Sequence, residues 1–330
     1  MEDGSTLTAG IDIGDRYCEV CILDAAGEVI EASRIPTSCA KVKRYFKSRE
    51  PMRVAMEVGT HSPWIARLVE EAGHSPIVAN ARRVRLIYAD TNKDDSLDAE
   101  KLARLARFDP KLLMPIVHRN ESTQATRTLI NARDVLVRAR TMLINSARGS
   151  VKVFGSRLRK CSSESFHKLV ADVPEILRGI LEPIFEQVEQ LTIRIRAYER
   201  QIEELCEQDY PETVVLREVP GVGALTALAF VSTLEDPSRF KNGRAVGAYL
   251  GLTPRRFKSS TSDPQLRITK AGDEYLRRLL VGSANYILGP FGPDTDLRRW
   301  GMKLAERGGK NAKQRAKVAV ARKLAVLLFR

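Results

Sequence analysis

Leu7-Thr8-Ala9-Gly10-Ile11-Asp12-Ile13-Gly14 is the stretch on which the fold turns. Its apolar run predicts a first β-strand over residues 7–13, and Asp12 sits near the end of it. Residues 53–58 repeat the pattern as Arg53-Val54-Ala55-Met56-Glu57-Val58, again placing an acid where an apolar run closes. Between the two, residues 17–23 and 29–35 read as strands joined by Ala25-Ala26-Gly27, a hairpin signal. A polar helix is expected near residues 40–48. Another is expected over 62–72, with Trp64, Leu68 and Val69 on one face, followed by a short strand at 76–79. Val84, Ile87 and Tyr88 mark a further helix before a polar loop at 91–93. Residues 96–108 are helical, with Leu97, Leu102 and Leu105 apolar.

Three strands, then strand and helix in alternation, predict a mixed sheet covered by helices, an order that resembles the ribonuclease-H-like (RuvC-like) fold. Residues 122–207 change character and become almost wholly helical. Ile130, Val137, Ile144 and Val151 recur every seven residues. Leu177, Leu181, Ile184, Val188, Leu191, Ile195, Tyr198, Ile202 and Leu205 recur at four and three. This is a coiled-coil seam, read either as a hairpin within the chain or as a dimer seam, with Pro183 marking a helix start or a kink. In the third segment, Val219-Pro220-Gly221-Val222-Gly223 resembles the turn of a helix-hairpin-helix. Such a turn lets backbone amides approach a phosphate, although glycines also serve plain tight turns. The expected class is therefore α/β plus all-α. Residues 1–110 form a ribonuclease-H-like domain, 111–210 a helical coiled-coil region, and 211–330 a helical C-terminal domain with the helix-hairpin-helix.

The net charge of +13 and a pI near 9.7 favour a polyanionic partner, most simply nucleic acid. From Trp300 onward Lys303, Arg307, Lys310, Lys313, Arg315, Lys317, Arg322, Lys323 and Arg330 are opposed only by Glu306. That run is either a solvated face or a backbone-binding surface. Five cysteines, an odd number, argue against a disulfide framework. Cys18-Glu19-Val20-Cys21 has zinc-knuckle spacing but no matching second pair, so buried cysteines are expected. Met1-Glu2-Asp3-Gly4 does not open a signal peptide, and no apolar run approaches the ~18 residues of a membrane span. The expectation is a cytoplasmic, nucleoid-associated protein without a membrane partner.

Asp12 and Glu57 at strand ends, with Asp95 and Asp98 three apart at a helix start, have the makings of a divalent-metal site. A metal pair in such a site clamps the attacking and leaving oxygens of a phosphoryl transfer. The alternative is four surface acids. Downstream, Ser259 and Ser260 follow Leu252-Thr253-Pro254-Arg255-Arg256-Phe257-Lys258. Arg255, Arg256, Arg267 and Lys270 supply cations for a phosphate. A serine needs activation to attack, and no histidine lies near it in sequence, so a phosphate-contacting hydroxyl is the simpler reading of that loop alone.

Together the motifs resemble the insertion-sequence transposases named for an Asp-Glu-Asp-Asp tetrad, RNA-bridged recombinases of bacterial mobile elements. The resemblance spans about residues 7–328. It rests on Gly10-Ile11-Asp12-Ile13-Gly14, Ala55-Met56-Glu57, Asn92-Lys93-Asp94-Asp95-Ser96-Leu97-Asp98-Ala99, Val219-Pro220-Gly221-Val222-Gly223, Tyr249-Leu250-Gly251-Leu252-Thr253-Pro254-Arg255 and Arg267-Ile268-Thr269-Lys270-Ala271-Gly272-Asp273. It implies that Asp12, Glu57, Asp95 and Asp98 bind Mg²⁺. It also implies that Ser259 attacks a DNA phosphate to form a covalent 5′-phosphoserine-type link. Gly221 and Gly223 join the four cations as nucleic-acid contacts. The implied partners are element and target DNA, a structured bridge RNA that pairs with both, and further copies of the chain as a dimer or tetramer. In that oligomer, carboxylates and serine come from different subunits.

Two departures stand out. Ser259-Ser260 replaces the family's Ser-Gly, leaving Ser260 as a rival nucleophile, and Lys93-Asp94-Asp95 replaces Lys-Thr-Asp, leaving Asp94 as a rival ligand. Three other readings remain. A Holliday-junction-type nuclease would use the carboxylates without the serine. An actin-like sugar kinase would explain Asp12-Ile13-Gly14 but not the basic charge. A non-catalytic nucleic-acid-binding protein would need neither Asp12 nor Ser259.

Overall fold

β1 (Thr8–Ile13) is the central strand of a five-stranded sheet in the order β3-β2-β1-β4-β5. β2 (Tyr17–Leu23) and β3 (Val29–Pro36) continue antiparallel from it, while β4 (Arg53–Glu57) and β5 (Ser75–Ala79) run parallel to β1. This is the mixed sheet that the strand order predicted. The computed structural model describes residues 7–80, 95–257, 262, 266–309 and 311–330, with backbone alone at Asp95 and Ser96. The helix expected around Val84, Ile87 and Tyr88 and the loop at 91–93 lie outside the described residues. The chain divides into two units, residues 1–119 and 120–330.

In the first unit, side-chain alternation gives the sheet two apolar faces. Ala9, Ile11, Val20, Ile22, Val54 and Met56 pack under α1 (Cys39–Lys47) and α2 (Ser62–Glu71), through Val42, Phe46, Ile65 and Val69. The opposite face meets α3 (Asp95–Phe108). There Cys21 and Leu23 lie against Ala99 and Ala103, and Ala55 and Ala79 against Leu102 and Ala106. The small residues on both sides let α3 sit very low. A Cβ on Gly10 would lie 2.0 Å from the Ala99 carbonyl oxygen and 2.6 Å from the Ala103 nitrogen. Cys18 and Cys21 are buried free thiols, and burial raises the pKa of both, as expected of core cysteines rather than metal thiolates.

The second unit begins with two long helices, α4 (Glu121–Val153) and α5 (Glu175–Gln208). Asn120 caps α4 by accepting from the Thr123 amide at 2.7 Å. The helices are antiparallel, since Thr126 meets Tyr210, Arg133 meets Glu199 and Arg140 meets Thr192. Leu177, Leu181 and Val188 of the seam are buried against Ile144, Ala147 and Val151, so the stripe finds its partner within the chain. Pro183 does not start the helix, which begins at Glu175 after Pro174; it lies inside. Its missing hydrogen bond falls at the carbonyl of exposed Gly179, where water can serve.

The base of the hairpin shares one core with the C-terminal helices. These are α6 (Thr213–Arg217), α7 (Ala224–Leu234), α8 (Gly243–Tyr249), α9 (Glu274–Leu288), α10 (Asp296–Glu306) and α11 (Ala312–Phe329). Ile130, Ile202 and Cys206 pack there with Leu228, Leu250, Leu280 and Leu324. No helix among the described residues is long and apolar enough to cross a membrane.

Between this core and the apolar tip of the hairpin lies a polar layer. Arg140 is 8 % exposed and donates to Thr192 Oγ1 at 3.1 Å, while its Nε finds no partner among the described residues. Burial lowers its pKa, the mark of a charge held at a cost. Arg140→Met should therefore raise stability by roughly 1 kcal/mol or more, read as a higher denaturant midpoint for helix loss by circular dichroism.

Candidate metal centre and nucleic-acid ribbon

Asp12 and Glu57 reach the same rim because β1 and β4 are parallel. Ile11 pairs with Met56, so one residue further along each strand Asp12 stands beside Glu57. Ile11 and Met56 point into the core under α1 and α2, and alternation therefore turns both acids toward the α3 face. Both are half-buried.

The direction of α3 brings its first turn to that rim. The Arg104 guanidinium donates to the Gly27 carbonyl at 3.2 Å, and Arg107 donates to the Ala25 carbonyl. Those carbonyls lie in the β2–β3 turn, at the end of the sheet where Leu23 pairs with Thr8. The C-terminal end of α3 is thus at the start of β1, and its N-terminal end at the finish of β1. Asp98 lies one turn before Leu102, with its carboxylate 39 % exposed and 3.5 Å from Lys101 Nζ. Asp95 opens the helix one turn before Ala99. Its side chain, with Lys93 and Asp94, lies outside the described residues.

Sequence reasoning missed one acid. Glu19 pairs with Asp12 across the β1–β2 ladder and so shares its face, where Arg34 holds it at 3.1 Å. The signal was available: Glu19 is the one charge inside the apolar run Cys18-Glu19-Val20-Cys21-Ile22-Leu23. It also missed His61, in the loop after β4. Its Nδ1 accepts from Trp64 Nε1–H at 3.1 Å, which places the imidazole proton on Nε2, 3.2 Å from Asp15 Oδ1.

Hard carboxylate oxygens carried by β1, β4 and α3 toward one rim suit a divalent cation of the magnesium type in chemistry. Among the described residues, no three His, Cys, Asp or Glu side chains stand close enough together to hold a metal ion; the side chain of Asp95 is not among them.

In the second unit, residues 251–257 and 266–272 form a two-stranded antiparallel ribbon. Arg255 N–H donates to the Arg267 carbonyl and Thr269 N–H to the Thr253 carbonyl, both at 2.9 Å, and Pro254 bridges Ile268. Its base is tight. Gly251 and Gly272 have φ of +67° and +70°, and a Cβ on either would strike backbone oxygen, 2.3 Å from Ala271 and 2.0 Å from Tyr249 respectively. Buried Arg277 locks that base to α9, donating to the Ala271 carbonyl at 2.8 Å and the Leu250 carbonyl at 3.1 Å. Arg255 stands opposite Arg267, and Arg255, Arg256, Arg267 and Lys270 are all exposed. Like charges facing across a ladder are unfavourable unless an anion lies between them. Ser259 and Ser260 lie outside the described residues, in the segment joining the two strands.

The turn before α7 gathers the other predicted contacts. Gly221 has φ of +84°, which strains any side chain, and a Cβ there would press on Tyr286 and Ser283 at 3.0 and 3.2 Å. Gly223 is the N-cap of α7, and a Cβ there would meet nothing. Both glycines line an open cleft of about 520 Å³ with Arg278 and Tyr286.

Acids at one rim and opposed arginines on a ribbon define a class of protein that handles phosphodiesters. Comparison with known proteins makes this specific. A DEDD-type IS110 transposase model matches residues 9–154, and a model described as transposase IS116/IS110/IS902 family matches residues 214–293. The putative transposase y4pF/y4sB of Sinorhizobium fredii is 30% identical over 87% of this chain and 74% of its own. The probable family 20 transposase of Pseudomonas aeruginosa is 29% identical over 97% of this chain and 95% of its own. The transposase for insertion sequence element IS1111A of Coxiella burnetii is 28% identical over 97% and 88%. The chain belongs to the IS116/IS110/IS902 transposase family, and its activity is that of a DNA transposase. Its DEDD-type domain implies a divalent metal cation.

If the rim depends on the seat of α3, Gly10→Val should lift the helix from β1. Overpacking of this kind costs about 1–3 kcal/mol. The expected result is a lower unfolding midpoint for the first unit and faster amide exchange over residues 95–108, with exchange in α9 and α11 unchanged.

Proposed function

We propose that this transposase cuts and rejoins the DNA of a mobile element through a serine–DNA intermediate, guided by a bridge RNA. Asp12, Glu57, Asp95 and Asp98 are the residues that would hold Mg²⁺, and Ser259 is the nucleophile. The observation that carries the reading is the convergence of Asp12, Glu57 and the first turn of α3 on one rim. The basic ribbon flanking Ser259 supports it, as does family membership.

Bound at the rim, a divalent cation supplies Lewis-acid stabilisation of charge on phosphoryl oxygens. The chain supplies the rest. Arg255 and Arg267, opposed on the ribbon, would grip the phosphate between them, with Arg256 and Lys270 on the flanking backbone. Ser259 Oγ attacks phosphorus, forming the Oγ–P bond as the P–O3′ bond breaks. The serine proton leaves to solvent, and the departing O3′ takes one up, giving a 5′-phosphoserine and a free 3′-hydroxyl. Attack by the 3′-hydroxyl of another strand reverses these changes, re-forming a P–O3′ bond and freeing the serine. The turn at Gly221 and Gly223 would offer backbone amides to a further phosphate.

In this reading the chain has three working segments, 1–110 for the carboxylates, 111–210 for the helical hairpin, and 211–330 for the serine and nucleic-acid contacts, and it works as a homo-oligomer. Base pairing by the RNA would select sequence, while the protein reads backbone and shape.

The test is a denaturing gel of the protein with element-end DNA, the adjacent non-coding RNA and Mg²⁺. A covalent protein–DNA band is expected from wild type and from Ser260→Ala, and none from Ser259→Ala or Asp12→Asn. Metal-dependent nicking with no covalent band would instead make this a nuclease that uses the carboxylates alone.

A further inference from the structure

We infer that one face of α9 completes the turn before α7 into a cleft for a nucleic-acid backbone, with the hydroxyls of Ser283 and Thr226 and the guanidinium of Arg278 set to hold a phosphodiester group. The inference rests on the reading of the Gly221–Gly223 turn as a phosphate contact, and on neither the metal nor Ser259.

The amides of Ala224, Leu225 and Thr226 precede the first bond of α7, from Ala227 N–H to the Gly223 carbonyl at 3.0 Å, and no side chain caps them. A free helix N-terminus attracts anions only weakly by itself. The second wall is what marks this one. Arg278, Gly282, Ser283 and Tyr286 share one face of α9 and line the same cleft as Gly223 and Thr226. Ser283 is 5 % exposed and Thr226 is 8 % exposed. Neither hydroxyl has a hydrogen-bond partner among the described residues. Elsewhere in this unit Thr141, Ser150 and Ser232 donate to the carbonyl four residues back along their helices. A buried hydroxyl left unmet costs free energy. Two of them in one cleft, beside free amides, point to a ligand that brings several acceptor oxygens.

The glycines and the charge agree. Gly282 lies inside α9, where glycine destabilises relative to alanine. A Cβ on it would meet nothing within 4 Å, so no described neighbour needs that position bare. A strand lying along the helix would. No carboxylate is among the residues that line the cleft. Arg278 is held there by Asp134 Oδ1 at 2.5 Å, and Asp134 also pairs with Arg138 at 3.1 Å, so two cations share one acid. Guanidinium, amides and hydroxyls together select an anion with several oxygens. Tyr286 is 46 % exposed, and its ring lies against Gly221. That open apolar face suits a phosphate still joined to its sugar better than a free anion.

The test uses the full chain and two labelled probes of one arbitrary sequence, a DNA duplex and an RNA hairpin. Affinity is read by fluorescence anisotropy over a range of salt, without divalent metal, and the unfolding midpoint of each variant is measured beside it. Ser283→Ala removes an unmet hydroxyl, so it should keep or raise the midpoint while weakening binding about tenfold. Gly282→Glu should also keep or raise the midpoint and weaken binding further, by setting an anion in the cleft. Arg278→Gln should lower the slope of log affinity against log salt by about one. The probe that responds names the strand in the cleft, and a response from both means that the backbone alone is read. The inference is overturned if Ser283→Ala and Gly282→Glu bind both probes as wild type does, or lose affinity only in step with a lower midpoint. Gly223→Asp tests the underlying reading, because its carboxylate would cap the free amides itself. If Gly223→Asp weakens binding and the α9 variants do not, the turn keeps its role and the inference is overturned. If Gly223→Asp binds as wild type does, the reading of the turn fails, and the inference with it.

Discussion

The backbone of α3 rests on the backbone of β1 at Gly10, and the geometry of the rim depends on that contact. With any side chain at position 10, the helix must ride higher and the acids of its first turn move away from the strand that carries Asp12. The alanines at 55, 79, 99, 103 and 106 serve the same end, because they let helix and sheet approach over two further strands. A layer built of small residues gains little from burial per residue. The return is precision in where the N-terminus of α3 arrives, and the Arg104 and Arg107 bonds to the β2–β3 turn fix its other end.

Most of this architecture was legible in the sequence. The strands announced themselves because burial on both faces makes near-continuous apolar runs, and the acids stood out because they interrupt or end those runs. The α3 stripe was harder to read. Its sheet-facing positions are mainly alanine, so Leu97 reads as part of the apolar face although it is 44 % exposed, while Ala99 and Ala103 carry the contact. Glu19 went unnoticed because pairing across β1 and β2 depends on register, which a hairpin loop sets only when its length is known. Pro183 lies inside the helix instead of starting it, and an exposed i−4 carbonyl lets a long helix carry a proline within it.

Net charge is a cruder guide than it first looks. Several arginines of the second unit are spent on structure. Arg277 is buried among backbone carbonyls, Arg127 is paired with Asp273, Arg133 with Glu199, and Arg140 is sequestered in the hairpin. Guanidinium suits these positions because its fork donates to several carbonyls at once. The cations free to meet a polyanion are a subset, and what marks them is placement. Arg255 and Arg267 face one another on a ribbon whose base is rigid, where lysines on a mobile loop would simply spread apart.

The two groups of acids at the rim differ in what they require. Asp95 and Asp98 sit in the first turn of α3, where the helix dipole favours negative charge without further help. Asp12, Glu19 and Glu57 occupy neighbouring positions on three adjacent strands, and a sheet offers no comparable dipole. Arg34 relieves Glu19, at the side away from Glu57. A cation held where β1 meets β4 would bind the folded chain and not the unfolded one, so binding and stability of the first unit are linked in sign.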